Sequence, residues 1–368
     1  MTLLRITLTA VALLFSTLAF SQLEKGSWMI DLRGQSSYDS EIDYIIPRLY
    51  TKIGYFPTDF LVAGIRMGGY GNLISNNNYG SALYAGFARY YANPKSARYF
   101  LFGDLEVGLI ADYAERADTE TRKFFKPTVG LTFINPGYVT LEAALGMAFI
   151  ENPNTGDLRY NNFVLQLGWK SIIGDSAKEA MADVEQFFGR GSVSLASGFN
   201  LMSDFIVEIA ALAPVSDLGY NSEGVAFNNL SDNRSSILGA QVGVGFFLSD
   251  LFMFNLGLGF TNYSASDFQG AQTLFSIAPA LRYYIPMGAG RTNLYLRGGY
   301  EFGGLNQEGF GTDYTYGFIN GGIGLNFMLT PGTALELGFD YGNLKSNDQG
   351  FVVDTNLLRF CYGIRVFL

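Results

Sequence analysis

The strongest constraint on this chain is an alternation of side-chain character with a period of two, which runs through most of the sequence after residue 21. Successive side chains of a β-strand point to opposite faces, so the alternation predicts strands with one apolar and one mixed face. The alternating runs reach about ten to fifteen residues, whereas ordinary strands have about five or six. A tilted strand needs about 9–11 residues to cross a bilayer. Residues 99–113 are an example, with two faces formed by Tyr99, Leu101, Gly103, Leu105, Val107, Leu109, Ala111 and by Phe100, Phe102, Asp104, Glu106, Gly108, Ile110, Asp112.

The composition favours a membrane barrel over a soluble enzyme. Aromatic residues make up 15 % of the chain and charged residues 15 %, against about 25 % charged residues in an average soluble domain. Many Gly, Tyr and Phe with few charges are typical of lipid-facing strands with aromatic girdles. The chain contains no His, which excludes imidazole metal sites and His-dependent catalysis, and we predict neither a cofactor nor enzymatic activity. The net charge of −9 argues against nucleic acid as a partner.

The first 21 residues have the form of a secretory signal peptide. Arg5 supplies the positive charge, residues 6–20 are largely apolar, and Ala19-Phe20-Ser21 has the small-x-small form of a cleavage site. We expect cleavage between Ser21 and Gln22, with no lipid anchor because the residue directly after the cut is not Cys. The alternating closing strand, 357–368, predicts insertion by the barrel assembly machinery, with outer-membrane lipid and lipopolysaccharide as surroundings.

The sequence also repeats itself, which predicts two copies of one barrel unit. The offset between matching segments stays between 191 and 195, and it joins residues 53–59 to 244–250, Arg89-Tyr90-Tyr91 to Arg282-Tyr283-Tyr284, 129–133 to 323–327, and Gly168 with Lys170 to Gly363 with Arg365. We predict a first repeat over 22–174, a polar linker with a short helix over 175–188, and a second repeat over 189–368.

One match departs from this offset. Gly26-Ser27 returns as Gly191-Ser192 at an offset of 165, so the second repeat holds about 26 additional residues after its start. We expect them to form an enlarged first long loop at about 200–234. Elsewhere tight turns such as 57–59 and 135–137 alternate with longer polar stretches such as 72–79 and 114–122, as short turns and long loops do in outer-membrane barrels.

Three segments of the second repeat carry a resemblance to a known family. The chain resembles the outer-membrane β-barrel family common in Bacteroidota, with eight-stranded OmpA/OmpX-like barrels, through residues 246–251, 279–286 and 329–336. The first repeat resembles it more loosely. The resemblance implies a fold and a location and brings no catalytic activity.

The predicted fold class is all-β, a transmembrane antiparallel up-and-down β-barrel. Two tandem eight-stranded barrels and one sixteen-stranded barrel both satisfy the repeat. An eight-stranded interior is just wide enough for side chains to fill it, and buried charges must pair there. Both signs occur on the inward face of each repeat, which favours two barrels with an inward-facing, structural charge network made of Arg66, Arg89, Glu106, Glu142 and Lys170 in the first repeat and of Arg282, Arg297, Glu301, Glu336 and Arg365 in the second.

The function predicted from these features is that of an integral outer-membrane barrel with a structural or interaction role and externally displayed loops. A porin-like diffusion channel is the alternative, and it needs the sixteen-stranded barrel. A barrel subunit of a secretion or motility complex is a further alternative. Glu106 with Glu142 could also form an acid–base pair, and the loop acids Asp118, Glu120, Asp232 and Asp267 could bind divalent ions with lipopolysaccharide phosphates. We favour salt-bridge filling and solvated loop charges, respectively. The tyrosines at strand ends, Tyr44, Tyr55, Tyr90, Tyr91, Tyr138, Tyr283 and Tyr284, are predicted girdle residues.

Overall fold

A computed structural model describes most of the chain after the predicted signal peptide. The described residues are 23–39, 44–72, 79–92, 99–114, 117–134, 138–151, 158–182, 187–197, 224–230, 235–264, 271–287, 291–307, 312–347 and 352–368. The predicted signal peptide and the proposed cleavage site therefore lie outside them.

The first repeat forms eight consecutive strands, as the alternation predicts. They are β1 (Trp28–Asp39), β2 (Tyr44–Thr58), β3 (Leu61–Asn72), β4 (Tyr79–Ala92), β5 (Tyr99–Ala114), β6 (Ala117–Ile134), β7 (Val139–Glu151) and β8 (Leu158–Ile173). A short helix, α1 (Asp175–Ala182), follows directly, within the segment predicted as a linker. Over the parts of the chain just given, no helix is long and apolar enough to cross a membrane.

The second repeat contains nine strands because its first strand is divided. They are β9 (Val193–Ser197), β10 (Gly224–Leu230), β11 (Ser235–Phe247), β12 (Phe252–Ser264), β13 (Ala271–Met287), β14 (Thr292–Gln307), β15 (Thr312–Thr330), β16 (Thr333–Asn347) and β17 (Val352–Phe367). Along β11, Ser197 lies opposite Val242 and Gly224 lies opposite Gln241. β10 therefore continues the line of β9, and the insertion lies between them, over 198–223.

All neighbouring strands are antiparallel, and the fold consists of two closed eight-stranded barrels, as predicted. In the first barrel β1 closes on β8, with Trp28–Ile30 opposite 171–173. In the second barrel β9 closes on β17, with 194–196 opposite 365–367. We call these two closing strand pairs the seams. Both seams lie near one rim, which we call the turn rim because it carries the two-residue turns 59–60 and 331–332. The opposite rim is the loop rim.

Toward the loop rim the two barrels exchange strand partners. Residues 33–39 of β1 pair with 357–363 of β17, and residues 225–230 of β10 pair with 162–167 of β8. These are the pairings expected of one sixteen-stranded barrel. The molecule therefore combines features of both predicted architectures. At the turn rim each barrel closes on itself, and at the loop rim the strands of the two barrels pair with each other in one wall.

Two connections differ from the sequence prediction. Residues 114–122, predicted as a long loop, belong mostly to a strand hairpin, because β5 continues to Ala114 and β6 begins at Ala117. Residues 224–230, which the sequence placed in the insertion, form β10. β5 and β6 pair with each other up to Ala114 and Ala117, so the backbone groups of this segment are satisfied by the ladder between the two strands.

Burial alternates along the strands as the period of two requires. In β7 the residues from Glu142 to Ala148 are alternately buried and exposed. The exposed positions carry large apolar side chains such as Leu101, Val129 and Ile319, each more than 60 % exposed, which is the apolar outer surface of a barrel in lipid. Between the repeats, the outer faces pack on each other through an apolar cluster that contains Val139, Trp169, Ile364 and Val366.

Candidate functional site

The inward face of the first barrel holds a network of buried charges, which alternation places there from β2 to β8. Arg89 lies at its centre: Nη2 is 2.8 Å from Asp104 Oδ2, and Nη1 is 2.6 Å from Glu142 Oε1. Lys170 pairs with the same glutamate. The guanidinium of Arg89 also lies 4.0 Å from the ring centroid of Phe102, a cation–π geometry.

A second group of charges surrounds Glu106 in the same barrel. Arg66 Nη1 is 2.7 Å and Lys126 Nζ 3.2 Å from Glu106 Oε2, and Lys52 binds the other oxygen. Lys52 Nζ is also 2.8 Å from Asp104 Oδ2, which connects this group to Arg89. Each carboxylate is therefore held by two or more cations. This arrangement neutralises the charge of both Glu106 and Glu142.

Among the described residues of the second barrel, buried ion pairs form around Glu336 and around Asp340. Glu336 accepts hydrogen bonds from Arg282 Nη1 at 2.8 Å and from Arg365 Nε at 2.8 Å. Asp340 Oδ2 is 2.8 Å from Arg297 Nη1 and 3.3 Å from Arg359 Nη2. All of these side chains are buried.

Glu301 is also buried in the second barrel, and its Oε1 accepts a hydrogen bond from the Tyr316 hydroxyl at 2.9 Å. Arg365 spans the seam of the second barrel: its Nη1 donates to Ser194 Oγ at 2.9 Å. Since β17 and β9 pair over only three residues, this side-chain bond reinforces the closure.

Sequence reasoning missed several members of these networks. Lys52, Asp104, Lys126, Asp340 and Arg359 are all buried and paired. Asp104 was assigned to the same face as Glu106, so the alternation contained the signal for it. Lys52 could have been found in the same way, because it shares a strand face with buried Tyr50 and Phe56.

An apolar cluster, which we call the mouth cluster, closes each barrel at the turn rim. In the first barrel Leu23, only 2 % exposed, packs among Met29, Phe56 and Tyr91. In the second barrel Phe188 stacks on Phe247 and Phe367, with ring centroids 4.7 and 5.1 Å away, and its ring is tilted against that of Tyr284 at 4.9 Å. Phe188 stands at the same offset of 165 from Leu23 as Gly191 from Gly26. We call Leu23 and Phe188 the mouth residues.

The same backbone turn holds both mouth residues. Gly26 and Gly191 have φ angles of 93° and 90°, a left-handed conformation that a side chain would strain. Gly26 N donates to Phe56 O at 2.9 Å, and Gly191 N donates to Phe247 O at 2.9 Å. The two repeats therefore use the same backbone turn to hold an apolar side chain in the turn-rim end of each barrel.

Two tyrosines predicted to lie in the lipid girdle lie inside the barrels. Tyr90 and Tyr283 are 53 % and 45 % exposed, as expected of girdle residues, whereas Tyr91 and Tyr284 are fully buried in the mouth clusters. Adjacent strand residues face opposite sides, so only one member of each Tyr-Tyr pair can face lipid.

Little space remains inside the first barrel. A second apolar cluster, formed by Leu83, Ile110, Phe124 and Ile150 with Ala85, lies on the loop-rim side of the charges. Between the apolar layers is a polar cavity of about 30 Å³, lined by Lys52, Arg89, Asp104 and their neighbours. A water molecule needs about 10–15 Å³, so the cavity has room for a few waters. Over the described ranges no cluster of His, Cys, Asp and Glu could hold a metal ion.

Comparison with known proteins agrees with this architecture. Residues 213–365 match the family model described as outer membrane protein beta-barrel domain. The protein is thus a β-barrel protein of the cell outer membrane. A search of curated proteins finds no significant match.

Solved structures with a similar chain path include three outer-membrane proteins. A bacterial polysaccharide outer membrane secretin is 8 % identical, with 93 % of this chain and 98 % of that chain covered and a TM-score of 0.42. OpdK from Pseudomonas aeruginosa is 12 % identical, with coverages of 94 % and 100 % and a TM-score of 0.36. OccAB3 from Acinetobacter baumannii is 10 % identical, with coverages of 94 % and 99 % and a TM-score of 0.39.

Proposed function

We propose that the protein is a non-conducting outer-membrane barrel whose role is structural or interactive, with its loop rim displayed outside the cell. The observation that carries the proposal is that buried side chains occupy the interior of both barrels, as apolar clusters and a charge network in the first and as an apolar cluster and buried ion pairs in the second. In the first barrel the mouth cluster, the charge network and a second apolar cluster succeed one another from the turn rim toward the loop rim. A porin-like lumen would instead be wide and lined by hydrated polar groups.

The charge networks support this role because they rigidify the wall from inside. Buried ion pairs that are fully hydrogen-bonded fix the relative position of their strands, and removal of one partner is strongly destabilising. Arg89 alone connects β4 to β5 and β7, through Asp104 and Glu142. A rigid wall of this kind suits a protein that presents loops on a fixed scaffold.

Conductance decides between the proposal and the diffusion channel. Purified full-length protein reconstituted in a planar bilayer should give no steps above the leak, while a general porin in the same bilayer serves as positive control. Stable ohmic steps from the folded protein would favour the channel. Heat modifiability on a gel should be measured on the same preparation, so that absence of conductance is assigned to folded protein.

Labelling in intact cells tests the orientation. In a Cys361→Ser background, Lys345→Cys, near the loop-rim end of β16, should react with a membrane-impermeant maleimide in intact cells. Asp250→Cys, in a turn at the other rim, should react only after the outer membrane is permeabilised. The reverse pattern would contradict external display of the loop rim.

A further inference from the structure

The exchange of strand partners brings four equivalent positions to one level of the wall. They are Gln35 on β1, Gln166 on β8, Ala226 on β10 and Cys361 on β17. The structure places Gln35 opposite Cys361 and Ala226 opposite Gln166, so both pairs cross between repeats. We call this arrangement the exchanged pairing. The branch point is the level of the wall at which the strands change from the seam partners to the partners of the exchanged pairing.

The seam of the first barrel predicts a different partner for Gln35. At that seam Ile30 lies opposite Ser171, and each step along β1 moves the partner one residue back along β8. Continuation of the seam would therefore place Gln35 opposite Gln166. Both residues would then pair within the first repeat.

The seam of the second barrel leads to the matching result. There Ala196 lies opposite Arg365. Because β10 continues the line of β9 along β11, Gly224 follows Ser197 in the wall. Continuation of this seam places Ala226 opposite Cys361. We call these two pairs the own-repeat pairing.

The two pairings are therefore equivalent in register. A shift of one residue in register would turn every side chain to the other face of a strand, which strongly opposes most rearrangements of a sheet. No such shift separates the exchanged from the own-repeat pairing. Moving the branch point along the four strands breaks backbone hydrogen bonds in two pairs and forms the corresponding bonds in two others.

We propose that the branch point is mobile, so that the loop-rim arms of β1, β8, β10 and β17 alternate between the exchanged and the own-repeat pairing. Movement toward the turn rim is blocked, because the seams there are held by the Arg365–Ser194 bond and the filled mouths. The exchanged pairing joins the loop rims of both barrels in one wall, and the own-repeat pairing separates them.

The native Cys361 allows a direct test in the full-length protein in its membrane. Gln35→Cys should form a disulfide with Cys361 under diamide in the exchanged pairing, and Ala226→Cys should form one in the own-repeat pairing, since directly opposite residues lie within disulfide distance. With a mobile branch point both variants are oxidised to more than half, because each disulfide traps the arrangement that forms it. The faster reaction belongs to the more populated pairing.

Two controls in a Cys361→Ser background make every outcome informative. Ala226→Cys with Gln166→Cys should crosslink, which shows that position 226 is folded and reactive. Met29→Cys should crosslink with Ile172→Cys and not with Phe367→Cys, because the branch point does not reach the turn rim. Oxidation of only one of the two Cys361 pairs overturns mobility. If neither Gln35→Cys nor Ala226→Cys forms a disulfide with Cys361, neither pairing exists at these positions and the proposal is wrong.

Discussion

The carboxylate of Glu24 caps the helix that follows the first barrel, through two hydrogen bonds from Ser176. Oε1 accepts from the Ser176 backbone N–H at 3.0 Å, and Oε2 accepts from its hydroxyl at 2.7 Å. The first N–H groups of a helix have no partner within it, so the cap satisfies α1 where it begins. Glu24 is adjacent to the mouth residue Leu23. The cap therefore ties the start of the first barrel to the end of its last strand.

Removal of this cap should loosen the first barrel. We expect Glu24→Ala to lower the free energy of unfolding by about 1–2 kcal/mol, because hydrogen bonds to a charged group contribute about 1.5–3 kcal/mol and Glu24 is only partly buried. The urea midpoint in lipid vesicles measures the change. Lys25→Ala is the matched control, since Lys25 uses its backbone N–H to bind Asp59. An equal loss in both variants would show that the cap has no specific effect.

Truncation of the second mouth residue should have a larger effect. Phe188 contacts three buried rings, so Phe188→Ala leaves a cavity and should destabilise the protein by about 3–5 kcal/mol. Phe246→Ala removes the same atoms from a ring that is 46 % exposed on the outer face, and should change stability much less. Equal urea midpoints for the two variants would contradict the closing role of Phe188.

The charge group around Glu336 allows a direct comparison of a buried with an exposed ion pair. Glu336→Leu leaves Arg282 and Arg365 buried without their common acceptor and should cost about 3–5 kcal/mol. Asp354→Leu removes the partner of Lys345 in a pair with both side chains more than half exposed, and such pairs contribute about 0–1 kcal/mol. Chemical denaturation of both variants measures the difference. An unchanged midpoint for Glu336→Leu would indicate that water reaches the arginines.

The repeat and its alternation predict most of the fold, because strand length, face assignment and the offsets between copies are local properties of the sequence. The same alternation assigns Asp104 and Glu106 to one face, where the structure shows both buried. The partner of each charge could not be predicted, since it depends on strand stagger around the closed barrel. Arg297, for example, pairs with Asp340, and not with either of the glutamates expected from the sequence.

The exchange of strands could not be predicted for a more general reason. Period-two patterns specify the face and the register of a strand, and Gln35 has the same face and register opposite Gln166 or Cys361. Sequence reasoning therefore left two barrels and one barrel as alternatives. The structure resolves them by position along the strands: the seams at the turn rim are separate, and the walls at the loop rim are shared.

The equivalence of the two registers predicts that the second repeat closes without the first. Expressed alone from Gln186 to Leu368, it can pair β10 with β17 in place of β1, so no edge is left open to lipid, where each unpaired backbone group costs several kcal/mol. We expect a folded monomer that runs as a heat-modifiable band on a gel. A shorter fragment that begins at Gly224 lacks β9 and Phe188, and therefore both the seam and the mouth residue, and should aggregate. Aggregation of the longer fragment as well would show that β1 is indispensable to the second barrel, and that the shared wall is the only way its loop rim can close.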